Sequence, residues 1–242
     1  MSAGTRTPVP DAAIAGRRVT RVVADLVAFA LPSRCAGCGG AALPERALCA
    51  ACERRIPPVG TPLCVRCLAG ERAPHGCHRH PAHRAWAAWV YDERAAVVVH
   101  ALKFEGRTRL AARLGETIAR ALPPGYRPDV VAEVPLHPAR RRERGFDQAA
   151  LLADAVSRML GTPRVAALQR RRATRGQSRL SAAARRAEMG GAFALRDPRA
   201  WHGRRVLVVD DVLTTGATLD AALAPLAAAG AETTCAVLCW AS

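Results

Sequence analysis

The run RVLVVDDVLTTGATLD, Arg205–Asp220, narrows the fold of this chain more than any other stretch. Its apolar residues Val206, Leu207, Val208 and Val209 have no polar residue alternating with them, which marks a strand buried on both faces. Two acids follow, then a Thr/Gly turn, then an apolar helical stretch. In a parallel sheet covered by helices, ligands bind beyond the carboxyl ends of the strands. Asp210 and Asp211 are expected at that edge. Thr214, Thr215, Gly216 and Thr218 follow as a turn onto a helix N-terminus, whose free backbone N–H groups and hydroxyls suit a phosphate. Two adjacent carboxylates repel a phosphate unless something neutral lies between them. A ribose meets that condition: its 2′- and 3′-hydroxyls donate to the acids while its 5′-phosphate fills the turn.

The rest of the chain agrees with an α/β plan. RAAVVVHALKFEG, RLAARLGETIARAL, FDQAALLADAVSRML and ATLDAALAPLAAAG carry helical patterns. PDVVAEVPLH, RVAAL and TTCAVLCW read as strands, and this alternation predicts a doubly wound parallel sheet. Residues 169–190 are polar, Arg-rich and weakly patterned, so a loop or hood is expected there. A P-loop is excluded, because G-x4-G-K-[ST] is absent and the sole lysine is Lys103 in ALKFEG. No G-x-G-x-x-G fingerprint occurs either.

Seven of the nine cysteines lie between Cys35 and Cys77, as CAGC, CAAC, CVRC and CHRH. Pairs spaced C-x2-C present two thiolates to one metal. Cys35, Cys38, Cys49 and Cys52 make one complete set. Cys64, Cys67 and Cys77 need a fourth ligand, His80 or His78, and an interleaved pairing is equally open to spacing. Closed four-ligand sites are structural, so zinc is expected to hold a segment too small to fold alone. Cys235 and Cys239, inside a strand-like run, are expected in the core. Three segments follow: an amphipathic N-terminal helix or tail over residues 1–31, a zinc-binding domain over 32–84, and the main domain over 85–242. No stretch has the length of a membrane span, and the N-terminal apolar run is short and interrupted by Asp25, which points to a cytoplasmic address.

The formal net charge of +16 favours polyanionic partners. Between Ala139 and Arg186 thirteen arginines face three acids, which concentrates ten of the sixteen net charges in one stretch. It starts with ARRRERG, just past the expected strand end at Pro135. The cluster should therefore lie near the acid pair, ready to neutralise a pyrophosphate or a nucleic-acid backbone. Lys103 stands alone among arginines, and its compact ammonium suits a phosphate oxygen. Aromatic residues are few, which argues against base stacking and for backbone-dominated contacts with any nucleic acid.

Residues 206–218 resemble the phosphoribosyl-pyrophosphate motif of type I phosphoribosyltransferases. The wider pattern resembles the ComF family, linked to DNA uptake in natural competence. The matching pieces are the C-x2-C knuckles, LKFEG, VPLHPARRRERGFDQ, RGQSRL and GGAF, which span most of the chain from Leu31 onward. The resemblance implies a type I phosphoribosyltransferase-like parallel sheet behind a small zinc-binding domain. It implies ribose contacts from Asp210 and Asp211, phosphate contacts from Thr214, Thr215, Gly216, Ala217 and Thr218, and pyrophosphate beside Leu136 and His137. Magnesium would accompany phosphoribosyl pyrophosphate. Lys103, His137, Arg172, Gln177 and Arg185 are the candidate catalytic residues, with His137 the candidate base. The chain departs from the family at Asp147 and at Glu188, where asparagine is usual. Two function classes follow: a phosphoribosyltransferase whose acceptor the sequence does not disclose, or a non-catalytic factor that binds single-stranded DNA or senses a nucleotide-like ligand. Competence proteins are the further partners that the family implies.

Overall fold

The computed structural model describes residues 33–43, 45–67, 77, 80, 83–172 and 187–241. The expected N-terminal helix, His78, Gln177 and Arg185 lie outside these. The strands are β1 (Ser33–Arg34), β2 (Ala41–Ala42), β3 (Leu63–Cys64), β4 (Arg84–Val90), β5 (Val130–Glu133), β6 (Leu168–Arg170), β7 (Phe193–Leu195), β8 (Arg205–Leu213) and β9 (Glu232–Trp240). The helices are α1 (Ala50–Glu53), α2 (Glu93–Phe104), α3 (Leu110–Arg120), α4 (Pro138–Arg144), α5 (Gln148–Leu160) and α6 (Ala217–Ala228). Five strands form the main sheet in the order β3-β4-β9-β8-β5. The pairs β4–β9, β9–β8 and β8–β5 are parallel, and β3 alone runs antiparallel at one edge.

Alternation along the strands builds a three-layer core. Val131, Leu207, Val209, Ala236 and Leu238 face α2, α3 and α5. Val130, Ala132, Val206, Val208, Cys235 and Val237 face α6 and the β6–β7 ribbon. Cys235 and Cys239 are fully buried, as their apolar neighbours predict. Asp92 caps α2 by accepting from Ala95 N at 2.8 Å. Gly161, in the left-handed region, closes α5. Pro225 sits inside α6 without ending it.

Three elements differ from the sequence reading. The strand expected at RVAAL lies later, at Leu168–Arg170, and pairs with β7; only Arg164 bridges to Val131. Pro163 has no N–H, so a longer ladder along β5 cannot start there. The strand of the acid pair runs on to Leu213, because β9 pairs with it along its full length, including Asp210 with Val237 and Val212 with Cys239. The basic cluster ARRRERG is a helix, α4, with His137 as its cap, Pro138 in its first turn and Gly145 left-handed at its end.

Helices α3 and α5 touch at Gly115. A β-carbon there would lie 2.2 Å from the Ala155 methyl. Gly115→Ala must push the two helices apart and is expected to cost about 1–3 kcal/mol, the usual penalty for overpacking a core. Urea unfolding reads this as a lower midpoint, and an unchanged midpoint would show that the contact carries no constraint.

Candidate functional site

The carboxyl ends of β5 and β8 open into a cavity of about 1090 Å³. Lys103, Asp210, Asp211, Thr214, Thr215 and Thr218 line one part of it. Leu136, His137, Arg140, Arg144, Gln148 and Arg170 line another. That volume sits at the upper end of what a single small ligand occupies.

Asp210 and Asp211 are consecutive in a strand, so they point to opposite faces of the sheet. Asp211 is 5% exposed, and its Oδ1 lies 2.8 Å from Lys103 Nζ. Its Oδ2 is buried with no hydrogen-bond partner among the described residues. Asp210 Oδ1 accepts from the Asp211 amide at 2.8 Å. Burial, followed by the Asp211 charge, pushes the Asp210 carboxyl up to about 8, although the Asp211 amide and Lys103 pull the other way. Thus the single lysine holds an acid rather than facing open space.

The turn after β8 is built on the cysteine-rich segment. Gly216 has φ +75°, and a β-carbon on it would fall 2.0 Å from the Val65 carbonyl oxygen. Conformation and space both demand glycine there. Gly216 packs downward, while Thr214, Thr215, Ala217 and Thr218 line the cavity. Beyond the turn, Asp220 in the first turn of α6 binds Arg66 Nε at 2.8 Å and His83 Nε2 at 3.1 Å.

The turn between β5 and α4 is held by Asp147. Its carboxylate accepts from Leu136 N at 2.9 Å, from Ala149 N at 3.1 Å and from Ala150 N at 3.3 Å. An asparagine has one side-chain acceptor and one donor, so it cannot accept from both sides; the departure at 147 has this physical sense. Leu136 therefore borders the cavity with its amide already engaged. His137 Nδ1 accepts from Ala139 N at 3.3 Å, which leaves Nε2 as the protonated nitrogen of the neutral ring. Exposed Glu188, the other departure, also lines the cavity.

Arg172 is exposed, donates to the Gly190 carbonyl at 3.4 Å and does not line the cavity. Arg170 takes a place there instead. Burial lowers its basicity, the Asp210 charge opposes that, and its guanidinium lies over Phe193. No pattern in the sequence singled it out from Arg171 and Arg172. Gln148, Tyr91, His100 and Phe104 are further lining residues that the sequence reading passed over.

Both cysteine sets come together in chain order. Cys35, Cys38, Cys49 and Cys52 form one cluster, and Cys64, Cys67, Cys77 and His80 the other, with ligand atoms within 4.8 Å of one another in each. All nine cysteines are free thiols. A tetrahedral zinc with Zn–S near 2.3 Å places its sulfurs about 3.8 Å apart. Cys38 and Cys49 stand 3.8 Å apart and Cys67 and Cys77 3.6 Å apart, with His80 Nδ1 at 3.3 and 3.5 Å from the latter pair. The donor sets therefore fit zinc, and each is closed. Burial raises the Cys35 thiol, but amides of Cys49, Gly37 and Cys38 outweigh it and bring the thiol down to about 6, favouring the thiolate a metal needs.

A phosphoribosyl transferase domain matches residues 147–241, and a double zinc ribbon domain matches residues 26–79. The chain thus joins structural zinc sites to a phosphoribosyltransferase domain of the type I fold. It is 34% identical over 193 residues to DNA utilization protein YhgH of Escherichia coli O157:H7, covering 76% of this chain and 80% of that one. It is 30% identical over 202 residues to Competence protein F of Haemophilus influenzae, covering 77% and 87%. The chain belongs to the ComF family. Among solved structures it is similar to the allosteric regulatory enzyme of purine biosynthesis, with 24% identity, a TM-score of 0.38, and coverage of 52% of this chain and 25% of that one. Among the described residues no helix is long and apolar enough to cross a membrane.

Metal analysis of the purified chain is expected to give two zinc ions, one for each ligand cluster. Cys38→Ser and Cys77→Ser should each lower that to one. Loss of both ions in either variant would mean that the clusters form as a single unit.

Proposed function

We propose that the cavity binds phosphoribosyl pyrophosphate and that the protein serves DNA uptake or utilization in the cytoplasm. One observation carries the sugar-phosphate reading: Asp211 Oδ2 is a buried acceptor without a partner among the described residues, beside Asp210 and within the cavity that the Thr214–Thr218 turn borders. A buried carboxylate oxygen left unpaired costs free energy that a ligand donor recovers. Ribose hydroxyls would supply that donor to Asp211 and a second to Asp210. The 5′-phosphate would take the amides and hydroxyls at the start of α6. The names of the two relatives support the DNA-linked part, and free thiols in zinc geometry suit a reducing compartment.

The pyrophosphate would face the other part of the wall. Arg140 and Arg144 rise there from α4, next to Leu136 and His137. Magnesium, carried in by the pyrophosphate, would spread the leaving group's charge, and the carboxylates of Asp210 and Asp211 are the hard oxygen ligands on this rim. As the bond from C1 to pyrophosphate breaks, positive charge grows on the ribose ring and negative charge on the departing oxygen. Fixed arginines stabilise the latter without having to reorient. Lys103 pairs with Asp211 Oδ1 and leaves Oδ2 as the acceptor for the sugar. His137 would act as a base only after its Nδ1 releases Ala139, and orienting the α4 turn is the role its hydrogen bond supports.

A second reading draws on the exposure of Arg140, Arg141 and Arg142 on α4. Such a row can track a single-stranded backbone, and binding through Z phosphates should weaken with a log–log salt slope near −0.7Z. Salt-insensitive binding would remove that reading.

Calorimetry with phosphoribosyl pyrophosphate and magnesium tests the first. Asp211→Asn is expected to weaken binding about tenfold or more, the cost of a lost hydrogen bond to a charged group, with zinc content unchanged. The pH dependence has a definite sign. Asp210 keeps its proton up to a pH of about 8 in the free protein, whereas sugar hydroxyls bind the ionised form better. Binding should therefore expel a proton and tighten as pH rises towards 8, and Asp210→Asn should abolish that tightening. Absence of any heat with the wild-type chain would overturn the proposal.

A further inference from the structure

The two metal clusters pack on opposite faces of the main sheet. Around the first, Cys35, Leu48, Cys52 and Ile56 join the core shared with α2, α3 and α5. Glu53 of α1 binds Arg46 at 3.0 Å and Arg113 of α3 at 3.3 Å, which ties that cluster to the same face. Leu63 and Val65, on either side of the ligand Cys64, pack instead with Ala217, Leu219 and Ala222 of α6. The second cluster therefore lies against the helix whose start carries the Thr/Gly turn.

Main chain and side chains join it to that turn. Val65, inside the CVRC knuckle, puts its carbonyl oxygen where a β-carbon at position 216 would fall. Val65 N donates to the His83 carbonyl at 2.9 Å, and His83 N donates to the carbonyl of the ligand His80 at 3.0 Å. Knuckle and ligand are thus bound into one base. From it Arg66 Nε and His83 Nε2 reach the same oxygen of Asp220, at 2.8 and 3.1 Å. The Asp220 amide donates to the Gly216 carbonyl at 2.8 Å and closes the first turn of α6. Asp220 is held from the metal side by its carboxylate and from the turn by its amide. An acid in the first turn suits the helix dipole but repels a phosphate bound at the same end, and the Arg66 guanidinium offsets that charge.

We propose that the second metal cluster is a built-in part of the phosphate site, with Arg66 and His83 as positioning residues that act on the turn through Asp220. The first cluster serves the other face of the sheet. That the turn holds a phosphate rests on the reading of the cavity given above. That the cluster fixes the turn rests on the Val65 and Asp220 contacts.

Calorimetry with ribose 5-phosphate tests the phosphate half. Affinity is expected to fall about tenfold in Arg66→Ala and to be retained in Arg66→Lys. In an Asp220→Ala background Arg66→Ala should add nothing, because Arg66 acts through Asp220. Cys77→Ser should weaken the same binding and Cys38→Ser should not, although each removes a ligand from one cluster. Inorganic pyrophosphate with magnesium, which would sit on the α4 turn, should bind Arg66→Ala as it binds wild type. A parallel fall there means general damage to the fold and overturns the proposal. Hydrogen exchange of the ligand-free chain tests the positioning half. Residues 213–223 should exchange faster in Arg66→Ala and Cys77→Ser, and at the wild-type rate in Cys38→Ser. Equal ribose 5-phosphate affinity in Arg66→Ala, or unchanged exchange at the start of α6, overturns the role of the cluster. Absence of ribose 5-phosphate heat in the wild-type chain overturns the sugar-phosphate reading instead, and the exchange still decides the positioning. The Arg66 variants keep every metal ligand, so they decide the matter if Cys77→Ser fails to fold.

Discussion

Two adjacent carboxylates in the carboxyl-terminal half of a buried strand set the terms for everything around them. Asp211 lies almost wholly out of water, and an ionised carboxylate there needs a partner. Lys103 provides it from the last turn of α2, so α2 has to end within reach of β8. The apolar side of that helix, Ala95, Val98, Val99 and Leu102, holds it to the sheet at that level. Breaking such a buried pair from one side typically costs about 3–5 kcal/mol, because the remaining charge is stranded. On the opposite face, burial and the Asp211 charge push the Asp210 carboxyl upward. Neighbours in sequence, the two acids thus meet different surroundings on the two faces of the sheet.

The cysteine-rich segment extends this logic to the far side of the turn. Val65 stands in the CVRC knuckle and takes up the space a side chain at 216 would need. The ligand His80 contacts the His83 ring at 5.9 Å between centroids, and His83 in turn binds Asp220. Burial, together with the Arg66 charge, holds His83 below the usual histidine range. A path of direct contacts therefore runs from the second metal cluster to the first turn of α6. The metal segment acts as a footing for the turn, which explains why a structural site lies in a chain whose main sheet has an ample core of its own.

Much of this was legible in the sequence. Val206–Val209, the acids and the Thr/Gly turn announce a central parallel strand and its helix, because burial on both faces leaves so plain a composition. The cysteine spacing supplied both candidate sets, and among the described residues the structure gathers the cysteines in consecutive pairs, with His80 beside Cys64, Cys67 and Cys77. The helix at Pro138–Arg144 was obscured by its own charge: with no apolar face it has no period to detect, and only its cap, its proline and Gly145 announce it. The partner of Lys103 was hidden for a different reason. An ion pair between residues 103 and 211 is a product of packing, and spacing along the chain carries no trace of it. Arg170 enters the cavity because the β6–β7 ribbon aims it there, a register that three short residues do not encode.

The antiparallel strand Leu63–Cys64 has a consequence beyond the metal it helps to hold. It covers the outer rim of β4, pairing Leu63 with Ala85 and Cys64 with Arg84. The boundary expected between residues 84 and 85 thus falls inside a hydrogen-bonded ladder. A proteolytic fragment beginning after that point would carry bare main-chain donors and acceptors along an apolar strand, an open invitation to self-association. Thiol oxidation that pulls Cys64 away would unmask the same rim, so oxidative damage to this protein should announce itself as insolubility.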